Sequence, residues 1–381
     1  MQQACPSVSV LVPIYNVERY LPQCLEALCS QTLRDLEIVA VNDGSTDGSL
    51  SVLQEWARKD ERIVIVDKPN SGYGASMNCG IEAARGAYIG IVEPDDFPER
   101  DMFKRLLRMA QRHDCDLVKC NFFEHYEDHD DRIRNFADFP YGRLFDPVEQ
   151  PRIVCTIPAI WTGLYRKAWL DDEGIRFRET PGASFQDTSF VMKSWFAARR
   201  CALVRKPLLH YRMDNPGSSV KTTDKVFVVC DELEDCERFL RVRPDRCRAL
   251  LPWFYVDKWS KYRWNYERID ASAHEAFAQR KADDLGIDGT TVAINPVEGW
   301  KISRYVEGCY DFQYHNEADA LRAFDLMHRL HAAKVQCGWQ FDIAANCALF
   351  RRLAEERGQR SPFRIDELRA DVERVYHFVE S

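Results

Sequence analysis

Residues 91–100 read IVEPDDFPER, so three carboxylates, Glu93, Asp95 and Asp96, follow directly on an apolar run. Carboxylates repel one another and hydrate strongly. Crowding them at the end of a buried strand calls for a hard divalent cation, Mg2+ or Mn2+, bound through oxygen ligands and the phosphates of a substrate. Pro94 stiffens the turn, so Asp95 and Asp96 project from a fixed backbone. The competing reading is that this acidic pair caps a helix beginning near Pro98.

Two further polar loops follow apolar runs. In VNDGSTDGS, Asp43 could accept hydrogen bonds from a nucleobase imide or a ribose hydroxyl, and Asp47 or Ser49 is placed to cap the next helix. In KPNSGYGASMN, glycines permit close backbone approach and a helix N-terminus attracts phosphate. The spacing is neither G-x-G-x-x-G nor the phosphate-loop signature, which counts against a dinucleotide oxidoreductase and a P-loop ATPase.

The elements that must position these loops alternate. VSVLVPIYN, LEIVAVND, RIVIVDK and GAYIGIVE read as strands. VERYLPQCLEALCSQ, with Tyr20, Leu21, Leu25 and Leu28 on one face, LSVLQEWARKD and YGASMNCGIEAAR read as helices. Strand and helix alternating at this spacing predict an α/β fold with a mostly parallel central sheet, whose ligands sit beyond the carboxyl ends of the strands. The loops PIYN, NDGSTD, KPNSG and EPDD all fall there. Further on, ERDMFKRLLRMAQRH reads as a helix, CDLVKCNFF as a strand, and the charged EHYEDHDDRIRNFADFPYG as a mobile surface loop. NPGSSVKTTD reads as a linker. Beyond it, VFVVCDELEDCERFLRV, CRALLPWFYVDKWSKYRWNYERI and ADALRAFDLMHRLHAAK are helical, so residues 1–220 and 221–381 are expected as an α/β domain and a smaller, mostly helical one.

Taken together, residues 9–49, residues 70–97 and, more loosely, FQDTSF resemble the family 2 glycosyltransferases of the GT-A fold, over roughly the first 220 residues. The resemblance implies an inverting transfer from a nucleotide-diphosphate sugar, here expected to be uridine-linked, assisted by Mn2+ or Mg2+. It maps donor binding onto Pro13, Tyr15, Asn16, Asp43, Asn70, Gly72, Asn78 and Asp95. Metal binding maps onto Asp95, Asp96 and Glu93, where the family's first position is commonly Asp. Met77 stands where the family often has arginine. The catalytic base maps onto Asp187, its usual acidic partner being Gln186. Asp187 would equally suit the first turn of the helix TSFVMKSWFAARR. Trp161, in IWTGLYRK, would lie beside the acceptor pocket or simply be buried. His210 and Arg212 would partner diphosphate or metal from a closing loop, with an ordinary half-buried histidine as the alternative.

The formal net charge of −8 argues against duplex nucleic acid as a partner. The 14 cysteines contain no CxxC pair, the nine histidines no H-x3-H spacing, and no segment approaches a membrane span. The start MQQACPSVSVLVPIYN lacks the pattern of a signal peptide. A cytoplasmic protein with reduced thiols is therefore expected, and the resemblance implies a saccharide or lipid-linked acceptor for surface polysaccharide. Trp259, Tyr262, Arg263 and Tyr266 share a helical face that could lie on a membrane surface, or pack against a neighbouring domain or subunit. A nucleotidyltransferase and a catalytically silent nucleotide-sugar-binding module are the rival readings.

Overall fold

All seven residues of Val8–Ile14 (β1) and all eight of Leu36–Asp43 (β2) are buried, which a strand permits only where both faces of its sheet are covered. The computed structural model describes residues 5–182, 184–215, 225–274, 276, 277 and 280, and the backbone of 291–295 and 300–303. Between these strands runs α1 (Leu21–Cys29), which opens with proline in its first turn and buries Leu21, Cys24, Leu25 and Leu28. Tyr20 stands at its N-cap rather than on its face. The alternation continues through α2 (Ser49–Lys59), β3 (Ile63–Lys68), α3 (Tyr73–Ala83) and β4 (Tyr88–Ile91).

The strand β5 (Phe97–Pro98) and the helix α4 (Met102–His113) follow. Asp101 holds the N-cap position of α4, so Asp95 and Asp96 do not cap it. Next come β6 (Leu117–His125), β7 (Asp130–Ile133), β8 (Leu144–Phe145), β9 (Gly163–Arg166), α5 (Lys167–Asp172), α6 (Gln186–Ala197) and β10 (Cys201–Arg212). The main sheet runs β3-β2-β1-β4-β9-β6-β10-β5, with β7 paired to β6 and β8 to β10. β3, β2, β1 and β4 are parallel, and β9 runs antiparallel to both neighbours. The chain winds outward from β1 to β3, then crosses back to β4 on the other side of β1. That reversal opens a crevice at the carboxyl ends of β1, β2 and β4, and the loops after all three strands meet there.

The stretch expected as a mobile loop after β6 is instead a hairpin. β7 pairs antiparallel with β6, and Phe136 beyond it is fully buried. Charge dominated the sequence pattern, but one aromatic anchor fixes the excursion.

The helices α7 (Val228–Arg241) and α8 (Pro244–Arg268) follow. By its contacts the chain divides into Met1–Asp311 and Phe312–Ser381, so α7 and α8 belong to the same compact unit as the sheet, although the change from sheet to helix falls near residue 221. The second unit, with the helix expected over 318–334, lies outside the described residues. Thr291–Asn295 (β11) and Trp300–Ser303 (β12) pair antiparallel, within the stretch expected to be mostly helical. The aromatic face of α8 turns largely inward: Tyr262 is fully buried and both it and Tyr266 pack near Phe277, while Arg263 stays exposed. Among the described residues no helix is long and apolar enough to cross a membrane.

Arg246 fastens α8 to the sheet domain. Its guanidinium, 2% exposed, donates to the Phe196 and Ala198 carbonyls at the end of α6 and to both Asp146 oxygens at 2.6 and 2.8 Å. Arg246→Ala strands those acceptors, and urea denaturation should record a loss of about 3–5 kcal/mol.

Candidate active site

The loop after β1 is built by Asn16, held in the left-handed region at φ 53°. Its Oδ1 accepts the Thr46 amide at 2.8 Å, and its own amide donates to Ser45 Oγ at 3.2 Å. Asp47 receives the Ser49 and Glu18 amides, and Ser49 Oγ receives the Val17 amide. The loops after β1 and β2 are thus laced together. Beside them lies an open cleft of about 660 Å3, lined by Tyr15, Asn16, Arg19, Tyr20, Asp47 and Asn215 among others. Tyr15 is half exposed there, and Pro13 lies buried within β1 behind it.

Asp43 turns inward. Its Oδ1 accepts the Ser71 amide at 2.9 Å and its Oδ2 the Gly72 amide at 3.0 Å, while Lys68 pairs with it. Burial alone would raise its pKa. The Lys68 ammonium and the Ser71 amide outweigh burial and hold it below the usual range. The helix N-terminus expected to attract phosphate is therefore already served by an internal anion, and the Tyr73 amide donates to Gly182 O at 3.2 Å. Gly72, at φ +92°, allows this approach, since a Cβ there would stand 2.9 Å from Thr180 O. Asn70 remains exposed at the rim, its amide 2.7 Å from where a Cβ on Gly44 would sit.

Asn78 serves the fold. Its Nδ2 donates to Phe177 O and Glu179 Oε1, both at 3.0 Å, and its Oδ1 accepts the Phe177 amide at 3.0 Å. Gly74 completes the fit, because a Cβ there would come within 1.9 Å of Arg178 O. This docking of residues 177–182 onto α3 aims the segment that leads into α6 and Asp187. Met77 is a core residue, 1% exposed.

The acidic cluster forms where β4 ends. Tyr73 OH donates to Glu93 Oε1 at 2.6 Å. Burial, reinforced by Asp95 and Asp187, pushes the Glu93 pKa up to about 8 against the Tyr73 hydrogen bond. Asp96, 1% exposed, accepts the Arg212 amide on Oδ1 at 2.9 Å, and its Oδ2 has no hydrogen-bond partner. Burial first, then Asp95, raises its pKa well above the carboxylate range. Asp95 Oδ2 accepts Asn215 Nδ2 at 2.8 Å, which joins the cluster to the cleft. Arg212 donates from Nε to Asp95 O at 2.9 Å, and its guanidinium lies 5.1 Å from the Tyr20 ring centroid.

Asp187 sits in the first turn of α6 and accepts the Thr188 amide at 2.7 Å. Burial raises its pKa, against the Thr188 amide and Lys261 of α8. Gln186, where an acid might have stood, is 1% exposed and ties Thr180 and Gly182 together through Nε2. Phe185, before it, holds a left-handed φ of 60° and is buttressed by Trp264 and Arg268 of α8. Strain of this kind concentrates at functional positions.

The structure thus brings Glu93, Asp95, Asp96, Asp187 and Arg212 together. His210 instead joins Glu99 and Asp130, and Trp161 packs on Tyr211 at the edge of the cluster. Trp161 is 6% exposed, stacked 5.0 Å from Tyr211 and set edge-on to Phe122. His210 points elsewhere, between two phenylalanine rings. Tyr73 and Tyr211 border the cluster, and neither stood out in the sequence, since each follows a more conspicuous Gly or His. The acidic oxygen set, the orphaned Asp96 Oδ2 and the raised proton affinity of Glu93 and Asp96 suit a hard divalent cation.

A mostly parallel sheet whose strand ends gather acidic and polar loops matches the GT-A architecture. Solved structures agree on the fold: S. aureus TarS 1-349, solved in complex with UDP-GlcNAc, superposes with a TM-score of 0.52 at 19% identity, covering 81% of this chain and 100% of that one. Residues 9–174 match the model described as "Glycosyl transferase family 2". EpsJ of Bacillus subtilis (strain 168), an uncharacterized glycosyltransferase, is 33% identical over 223 residues, 56% of this chain and 62% of EpsJ. GgaB of the same organism, a minor teichoic acid biosynthesis protein, is 30% identical over 223 residues, 57% of this chain and 24% of GgaB. The chain spans about three fifths of the length of the first curated relatives it matches.

Glu93 makes a pH signature. Its folded pKa of about 8 lies above the ordinary 4.5, so between those values the folded chain binds more protons than the unfolded one. Stability must then fall as pH rises through that window. In chelator-treated protein, Glu93→Gln should be more stable than wild type at pH 8 by roughly 1–3 kcal/mol and indistinguishable from it near pH 4.5. Urea denaturation at both pH values measures this.

Proposed function

We propose that the protein is an inverting glycosyltransferase that moves a sugar from a uridine-diphosphate donor to an acceptor hydroxyl in surface polysaccharide or glycoconjugate assembly. The observation that carries this reading is the convergence of Glu93, Asp95 and Asp187, from the end of β4 and the start of α6, on one acidic cluster that Asp95 joins to the open cleft through Asn215. The UDP-GlcNAc in TarS supports the donor class, and the teichoic acid role in GgaB's name supports the acceptor class. A saccharide or lipid-linked acceptor met at the cytoplasmic face of a membrane fits both.

Tyr15 and Asn16 line the cleft where the nucleoside would lie. Arg19, exposed in that cleft, would supply the positive charge that Met77 does not. Glu93 and Asp95 would hold a Mn2+ or Mg2+ ion, with Asp96 behind them. A cation bound there would neutralise charge growing on the leaving diphosphate. Asp187 would accept the acceptor hydroxyl's proton as that oxygen bonds to the anomeric carbon and the bond to the diphosphate breaks. Burial suits Asp187 to this task, since a raised pKa makes a stronger base.

Asp187→Asn should cut transfer, and slow donor hydrolysis, by about 10²–10⁴-fold while changing UDP affinity little. Thermal shift with UDP compounds, with and without Mn2+, gives the binding arm. No stabilisation under either condition, or full turnover in the variant, would sink the assignment.

A further inference from the structure

Near the end of β10, Tyr211 borders the acidic cluster, while His210 before it enters a second polar cluster with Glu99 and Asp130. The ring, 9% exposed, is clamped between Phe97 at 4.5 Å and Phe123 at 4.6 Å, both nearly parallel to it. It cannot swing. Its Nε2 lies 3.2 Å from Glu99 Oε1. Its Nδ1 lies 3.1 Å from Asp130 Oδ2, yet makes no hydrogen bond. The other Asp130 oxygen is 2.7 Å from His125 Nδ1. One donor atom each from His125, Asp130 and His210 fits within 4.8 Å.

Chemistry narrows what this arrangement is for. Glu99 faces Nε2, so Nδ1 is the nitrogen turned toward the Asp130 carboxylate oxygen. Two lone pairs at that separation repel unless a proton or a metal ion stands between them. A carboxylate that fixes the tautomer of a histidine so that its other nitrogen can bind metal is a recurrent outer-shell arrangement. We propose that His125, Asp130 and His210 form a transition-metal site of the zinc type, oriented by Glu99 and separate from the cation site of the acidic cleft.

Zinc ligands at about 2.0–2.2 Å in a tetrahedron stand roughly 3.4 Å apart, so the Asp130–imidazole separations of 2.7 and 3.1 Å would open slightly and the widest separation in the set, at most 4.8 Å, would close. Two imidazoles and one carboxylate favour Zn2+, Co2+ or Ni2+ over Mg2+. Asp130 is exposed, which leaves the fourth position to water. The other charged groups nearby are otherwise occupied. Lys206 pairs with Glu99 at 3.0 Å, Arg132 sits over Phe123, and His129 pairs with Asp128 at 2.6 Å and lies 3.7 Å from Asp131. The ion would clip the β6–β7 hairpin to β10 through residues 85 positions apart in sequence, beyond the reach of any local metal motif.

The test uses the full chain, tag-free and chelator-treated, with Co2+ as spectroscopic probe and Zn2+ in calorimetry. One equivalent should bind, with the visible absorption of tetrahedral Co2+. His125→Ala and Asp130→Asn, both at the accessible side, should abolish that equivalent without changing the far-UV circular dichroism. Glu99→Gln should weaken it about 10- to 100-fold. Asp95→Asn, in the acidic cleft, should leave it intact, so this result stands apart from the transferase reading. Absence of the Co2+ band in wild type overturns the proposal, as do undiminished stoichiometry in both ligand variants and nitrogen NMR with both His210 nitrogens protonated in excess zinc.

Discussion

Like charges in a confined space set the terms for this molecule. Glu93, Asp95, Asp96 and Asp187 gather at one end of the sheet, and burial together with neighbouring carboxylates raises the proton affinity of Glu93 and Asp96. The chain's own cations answer only part of that load. Arg212 spends its main-chain amide on Asp96 and its side chain on Asp95's carbonyl, so it braces the backbone more than it neutralises the carboxylates. Tyr73 offers Glu93 a neutral hydrogen bond. The cleft is held ready at a cost in stability, the kind of local conflict that a functional site sustains and a purely structural one does not.

The surrounding loops are latched by anions and carbonyls of the protein itself. Asp43 occupies the N-terminus of α3, and Asn78 with Gly74 seats residues 177–182 against the same helix. These contacts determine where α6 begins. From the far side α8 presses Trp264 and Arg268 on Phe185 and places Lys261 within electrostatic reach of Asp187. The helices after residue 221 thus shape the site rather than merely following it.

Much of this was legible in the sequence because it rests on local periodicity. The strands β1 to β4, the helices between them and the polar loops at their ends follow from alternating apolar patterns and loop chemistry. The gathering of Glu93, Asp95 and Asp187 followed from motif order. What stayed hidden depends on contacts between distant segments. Asp43 and Asn78 have the residue types of ligand contacts, and only the arrival of Ser71, Gly72 and Phe177 turns them to internal duty. Phe136 in a charged stretch gave no periodic signal, and His125 with His210 has no spacing to recognise. The aromatic face of α8 was ambiguous until Phe277 met it.

The pairing of β10 with β6 shifts register twice, between Val204 and Pro207 and again between Pro207 and His210. Irregularities of this kind re-aim side chains. They precede three residues with separate duties, His210 toward the hairpin, Tyr211 against Trp161 and Arg212 bracing Asp96 and Asp95. Unless a bulge absorbed it, a one-residue deletion upstream would shift this register and disturb both neighbourhoods at once.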